Sequence, residues 1–230
     1  MESAVTDAPG MQIVYCFDRA VWLEQSGAYS EAFELLEECL REEHPGTGEV
    51  LFHIGWCLEH VSGGSGRAFQ SYKDASNSLS PSATRVNCFF RMGWLLLHEK
   101  DYATAARMFR RAIDDAERID LETNLYHNAV YWYAVALENQ SLFLNALEGY
   151  RLVQRLSAQL NPEARYREMC CLNQVGLFED ALRVCQSFQE EPPAGFAVSR
   201  YAELRTLART EATLLIRCLG GKIQNGGEGE

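Results

Sequence analysis

Apolar residues recur along this chain at three- and four-residue intervals, the spacing of a helix with one buried face, and the pattern reads as alternating helices from end to end. Five of the apolar runs carry an alanine near their start: Ala32, Ala68, Ala105, Ala146 and Ala181, separated by 36, 37, 41 and 35 residues. Each run predicts the second helix of a helical hairpin. Three residues before four of these alanines stands an aromatic, Tyr29, Tyr102, Phe143 or Phe178. Twelve residues before each alanine, thirteen in the second unit, stands Ala20, Gly55, Gly93, Ala134 or Met169. A small side chain at that position lets the two helices of a hairpin approach closely.

Self-similarity at such a period is the mark of a repeat architecture. The third unit is the fullest, with Phe89, Met92, Gly93 and Leu96 followed by Lys100-Asp101-Tyr102, Ala105, Phe109 and Ala112. This pattern resembles the tetratricopeptide repeat. The second and fourth units match well, through Leu51, Ile54, Gly55, Leu58, Ala68 and Tyr72, and through Val130, Tyr133, Ala134, Leu137, Phe143, Ala146 and Tyr150. The fifth matches least, with Met169 in place of a small residue. The resemblance implies an all-α, right-handed superhelical solenoid with repeats at about 13–46, 48–82, 86–119, 127–160 and 162–195. A flexible segment is expected over 1–12, a capping helix over 196–219 and a disordered tail over 220–230. The period exceeds the family's ~34 residues. The extra length has a place in Ser62-Gly63-Gly64-Ser65-Gly66, read as a flexible turn inside the second hairpin, and in 114–123 between the third and fourth units.

Formal net charge is −11, so an extended phosphate-binding face would work against the protein's own field, and nucleic acid is not an expected partner. Residues 1–60 hold 12 acids and 2 bases, a net of −10, so one end is acidic. The eight cysteines form no C-x-x-C pair and mostly interrupt apolar periodic segments, which predicts reduced core residues in a cytoplasmic protein. No apolar stretch reaches the ~18 residues that would span a bilayer, and no membrane partner is expected.

In the family that the chain resembles, the first helix of each repeat lines the concave surface. That implies a groove with Phe17, Phe52, Phe90, Tyr131 and Tyr166 three residues before the small-residue anchors. Trp56 and Trp94 stand one residue after them, and His53, Arg91, Trp132 and Arg167 two before. Phe52, Trp56, Phe90, Arg91, Trp94, Tyr131 and Trp132 form its expected centre, because aromatic anchors beside arginine are the composition of binding hot spots. The alternative for the rings is simple packing between helices. Arg91 and Arg167 could meet acidic groups of a peptide, and Glu24 and Glu59 basic ones.

Other chemistry has less support. His53, Cys57 and His60 fall at i, i+4 and i+7 of one helix, a spacing that can gather zinc ligands, but Cys57 should turn to the hairpin core, and no metal is expected. No cofactor motif or nucleophile motif is present, and Cys170-Cys171 has no histidine in its repeat. Arg107, Arg110 and Arg111, followed by Asp114, Asp115 and Glu117, read as a solvated face. The sequence therefore predicts a non-enzymatic interaction module that binds a peptide segment of a partner, as adaptor, scaffold or chaperone. Self-assembly of the acidic first repeat on the Arg-bearing end of another copy, or a regulatory sensor subunit, are the alternatives.

Overall fold

The computed structural model describes residues 9–225 apart from 42–45, 62, 189–190 and 195, and among the described residues every regular element is a helix. Eleven helices follow one another: α1 (Pro9–Gln25), α2 (Tyr29–Arg41), α3 (Thr47–His60), α4 (Ser65–Ser78), α5 (Ala83–His98), α6 (Tyr102–Arg118), α7 (Asn124–Asn139), α8 (Phe143–Leu156), α9 (Asn161–Gln174), α10 (Phe178–Gln186) and α11 (Val198–Asn225). The five marker alanines lie on α2, α4, α6, α8 and α10, and all are fully buried. None of the described helices is long and apolar enough to cross a membrane.

Contacts divide the chain into two compact units, 1–100 with 111–121 and 101–110 with 122–230, so the division falls within α6. In the first unit α1, α2, α3, α4 and α5 each pack on the next in sequence, and in the second α7, α8, α9, α10 and α11 do the same. The reason lies in the anchors. A Cβ on Gly55 would stand 2.8 Å from the Tyr72 ring, so the missing side chain is what lets α3 and α4 meet. In the fourth hairpin the roles are shared, and a Cβ on Gly149 of α8 would stand 2.8 Å from that of Ala134 on α7.

The turns inside four hairpins share one conformation. Gly27, Lys100, Ser141 and Gly176 stand two residues before the aromatic that opens the second helix, and all have positive φ, between 62° and 82°. Only two of the four are glycine, the residue that tolerates that region without penalty. After Lys100, the Asp101 carboxylate accepts the Thr104 amide at 3.1 Å and caps α6.

Two expectations change. Asp115 does not sit on a solvated face: it is 4% exposed, and its carboxylate meets the Arg85 guanidinium at 3.1 Å and that of Arg118 at 3.5 Å. Arg85 and Arg111 also lie over the Phe89 ring, each 5.5 Å from its centroid, so this polar segment ties α6 to α5. The expected capping helix is longer than 196–219 and runs to Asn225, while 226–230 and 1–8 lie outside the described residues. Extending an existing helix adds one hydrogen bond per residue without a new nucleus, and α11 continues through Gly220-Gly221.

Candidate peptide-binding faces

In the first unit, Phe17 on α1, Phe52, His53 and Trp56 on α3, and Phe90, Arg91 and Trp94 on α5 are all half-buried. His53 receives Phe17 and Phe52 edge-on, both at 5.3 Å between centroids. Phe52 leans on Tyr72 at 5.7 Å, Trp56 on His60 at 4.5 Å and Trp94 on His98 at 4.9 Å. The Arg91 guanidinium lies 4.8 Å over the Trp56 ring, which joins α3 and α5 by a cation–π contact.

Arg91 is fixed from its other side. Its Nε donates to Glu59 at 3.0 Å, its second nitrogen also meets that carboxylate, and the Tyr72 hydroxyl donates to Glu59 at 2.9 Å. Tyr72 is fully buried, and burial next to Glu59 raises its phenol far above the usual range, so the hydroxyl keeps its proton to donate.

The second unit repeats this triad. Tyr150, fully buried on α8, donates to Glu138 on α7, and Arg167 on α9 donates to the same carboxylate at 3.0 Å. Arg167 also donates to the Tyr131 hydroxyl at 3.1 Å. Tyr131 is 7% exposed and lies between Trp132 at 5.2 Å and Tyr150 at 6.0 Å. Of the four expected residues of this unit it is the buried one, whereas Trp132, Tyr166 and Arg167 are half-buried.

The acid stands four residues after one anchor and its base two residues before the next. That register holds for Glu59 with Arg91 and for Glu138 with Arg167. It holds again for Glu24 with His53, whose Nδ1 lies 2.8 Å from the carboxylate. Cys57 donates to the other oxygen of Glu24 at 3.3 Å. The thiol therefore serves the carboxylate of α1, and its pKa is driven up by burial and by that charge. His60 turns away, with Nδ1 2.8 Å from the Trp56 carbonyl and its ring stacked on Tyr29 at 4.2 Å. His53 and Cys57 thus share the Glu24 carboxylate, while His60 serves other partners.

Of the organising residues, Glu59 was expected only as a charge for a basic group of the ligand, and Tyr72 and Tyr150 were not among the expected site residues. Their signal is a covariation inside the sequence. Tyr72 and Tyr150 stand four residues after the marker alanine in two of the three repeats whose anchor is followed at four by a glutamate; in the first repeat Glu24 goes with Leu36, and its donors are His53 and Cys57 instead. In the third repeat the same positions hold Phe109 and Leu97, a ring without a hydroxyl beside a side chain that cannot accept.

Cys39, Cys57, Cys88, Cys171 and Cys185 are buried and Cys16 and Cys170 half-buried, and none of these seven forms a disulfide. Burial holds Cys170 up at about 11 and Cys171 at about 12. Glu168 beside them is 7% exposed and engaged by Arg151 Nε at 2.6 Å and Gln154 Nε2 at 2.7 Å.

Solved structures share this succession of helical hairpins. The chain has the fold of a tetratricopeptide-repeat protein. A MamA structure from AMB-1 superposes with a TM-score of 0.61 at 20% identity, covering 76% of this chain and 89% of that one. YrrB, described as a TPR protein with an unusual peptide-binding site, gives 0.62 at 15% identity over 74% of this chain and 81% of its own. A putative kinesin light chain of Podospora anserina with nearly identical TPR-like repeats gives 0.59 at 13% identity, over 79% and 94%. The sequence matches no family model and no curated protein.

Proposed function

We propose that the chain is a non-enzymatic protein-interaction module that holds an extended peptide segment of a partner against the first-helix faces of its repeats. The observation that carries this reading is the Arg91 guanidinium stacked on Trp56 and clamped by Glu59. A large ring fixed in one rotamer and left half in solvent loses little entropy when a ligand covers it, which is the physical basis of a hot spot. Phe52, Phe90 and Trp94 extend the apolar surface on the same two helices. The peptide-binding site named for YrrB, on the same fold, supports the reading.

The charge pairing refines what the peptide must offer. Arg91 and Arg167 are neutralised by Glu59 and Glu138, so a carboxylate on the ligand would compete with a partner already in place. Recognition then rests on apolar side chains seated on the rings and on backbone groups of the peptide, with charge in a minor role. The test is affinity capture from the source lysate with wild type and a Trp56→Ala, Trp94→Ala variant of equal helicity, followed by titration of the recovered protein's segments. A segment bound by wild type and at least tenfold more weakly by the variant supports the reading; equal binding by both removes it.

A further inference from the structure

Two registers recur as buried positions on the helices from α3 on that open a hairpin: the position five residues before the anchor and the one two residues after. On α3 they hold Val50 and Cys57, on α5 Cys88 and Leu95, on α7 Ala129 and Ala136, and on α9 Ala164 and Cys171. α11 keeps the same frame, because Asn173, four residues after Met169, donates to Glu211 at 2.6 Å and so sets Thr213 as its anchor. The two registers there are Ala208 and Leu215. All ten side chains are at most 8% exposed.

On α1 the same two registers are Tyr15 and Trp22, and they are 65% and 64% exposed. Of these helices, α3, α5, α9 and α11 each pack on the second helix that precedes them, and α1 has no preceding second helix among the described residues. The residue types matter as much as the exposure. Buried registers hold Ala, Cys, Val or Leu, which a closely packed helix can approach; two large rings hold a covering helix further off. Exposed apolar side chains are also found on α11, at Val198, Leu207, Leu214 and Ile216, but these are aliphatic, whereas Tyr15 and Trp22 set two large exposed rings on one side of α1, and exposed rings of this kind mark a contact surface.

We infer that α1 is the site of a twofold contact with a second copy of this chain. Between Tyr15 and Trp22 stand Asp18 and Arg19, both exposed and on the same side of the helix. An antiparallel pairing about an axis midway between Asp18 and Arg19 sets Tyr15 against Trp22 of the partner subunit, and Asp18 against Arg19 of the partner subunit. Both relations then occur twice, as an isologous interface demands. The face is its own complement in ring and in charge. A parallel pairing in register would set like charge against like charge at both positions. This contact does not use Phe17, the α1 ring of the proposed peptide-binding face, and it stands or falls separately from that reading.

Sedimentation equilibrium of the full chain at about 0.15 M salt, where repulsion between the two acidic ends is screened beyond roughly 8 Å, is the experiment. Wild type is expected to show a monomer–dimer equilibrium. Trp22→Ala, and separately Asp18→Arg, should weaken it at least tenfold, with far-UV circular dichroism unchanged since both side chains are exposed. The exchange variant Asp18→Arg, Arg19→Asp restores complementarity across a twofold axis and should return the dissociation constant to within about threefold of wild type. A chain that stays monomeric into the high micromolar range overturns the inference. So does a dimer indifferent to the single substitutions, or one that the exchange variant fails to restore.

Discussion

The Tyr72 hydroxyl donates to Glu59 across 2.9 Å, and the acceptor that it orders is the one that holds Arg91 over Trp56. A residue of the second helix, buried and remote from any ligand, thereby fixes a ring on the first-helix face. Tyr72→Phe leaves the buried carboxylate one donor short and is expected to cost about 1–3 kcal/mol. Glu59→Leu strips a guanidinium that is 17% exposed of its counter-ion and should cost more, about 3–5 kcal/mol. Urea unfolding of the two variants checks the order. Adding Tyr72→Phe to Glu59→Leu should cost far less than Tyr72→Phe does alone, since the bond it removes is already gone. Additive losses would mean that the two residues act independently.

The hairpins were legible because helix packing imposes a fixed spacing: the marker alanines and the anchors recur once per repeat, and the opening aromatics in four of the five. The rings of the first unit were legible for the same reason, as residues at set offsets from Gly55 and Gly93. Pairing across repeats was harder to read. Nothing in the neighbourhood of Glu59 announces Arg91, which lies 32 residues on and a hairpin away. Asp115 was misplaced because its sequence neighbours are charged and its true partner, Arg85, belongs to the helix before. Tyr131 and Trp132 are adjacent in sequence, yet one is buried and the other half in solvent, a difference that a helical period alone does not assign without knowing the neighbouring helix.

Burial of thiols and phenols makes stability fall at alkaline pH. Burial raises Cys88 and Cys171 to about 12 and Cys185 to about 11, and takes Cys57, Tyr72 and Tyr150 higher still. Their unfolded values are about 8.5 for a thiol and 10 for a phenol. A folded value above the unfolded one means that the unfolded chain loses its protons first. The stability these groups contribute is thus complete below about pH 8.5 and is lost as pH rises toward the folded values. The urea midpoint should be level between pH 7 and 8 and fall steadily to pH 11, less steeply in a Cys88→Ala, Cys171→Ala variant. A level midpoint throughout would contradict the burial of these groups.

Lys100 and Ser141 adopt positive φ, at 63° and 62°, in turns where Gly27 and Gly176 do the same at 82° and 79°. A side chain in that region costs about 1–2 kcal/mol, and glycine avoids most of this at some cost in unfolded-chain entropy. Lys100→Gly and Ser141→Gly should therefore each raise stability, by about 0.5–1 kcal/mol, although both place glycine in a protein that already has 17. The reverse change, Gly27→Lys or Gly176→Ser, should lower it by a similar amount. Thermal unfolding of the four variants tests the sign at each turn.

The glycines of the second turn serve different purposes, and alanine substitution separates them. A Cβ on Gly64 would lie 1.8 Å from the Leu58 carbonyl oxygen, a backbone atom of α3 that cannot swing aside. The amide of Gly64 also donates to the Val61 carbonyl at 3.0 Å, and Ser62 of this turn lies outside the described residues. Gly64→Ala must push α4 off α3 and should cost about 3 kcal/mol. Gly66, two residues on and already inside α4, has nothing within 4 Å of its added methyl. There, Gly→Ala only narrows the unfolded ensemble and favours helix, so it should stabilise by about 0.5–1 kcal/mol. Because Tyr72 rides on α4, the Gly64 variant should also release Arg91 from Trp56. Tryptophan fluorescence, which senses the ring's environment, should change in Gly64→Ala and not in Gly66→Ala. Equal effects of the two substitutions on stability would show that the turn tolerates movement.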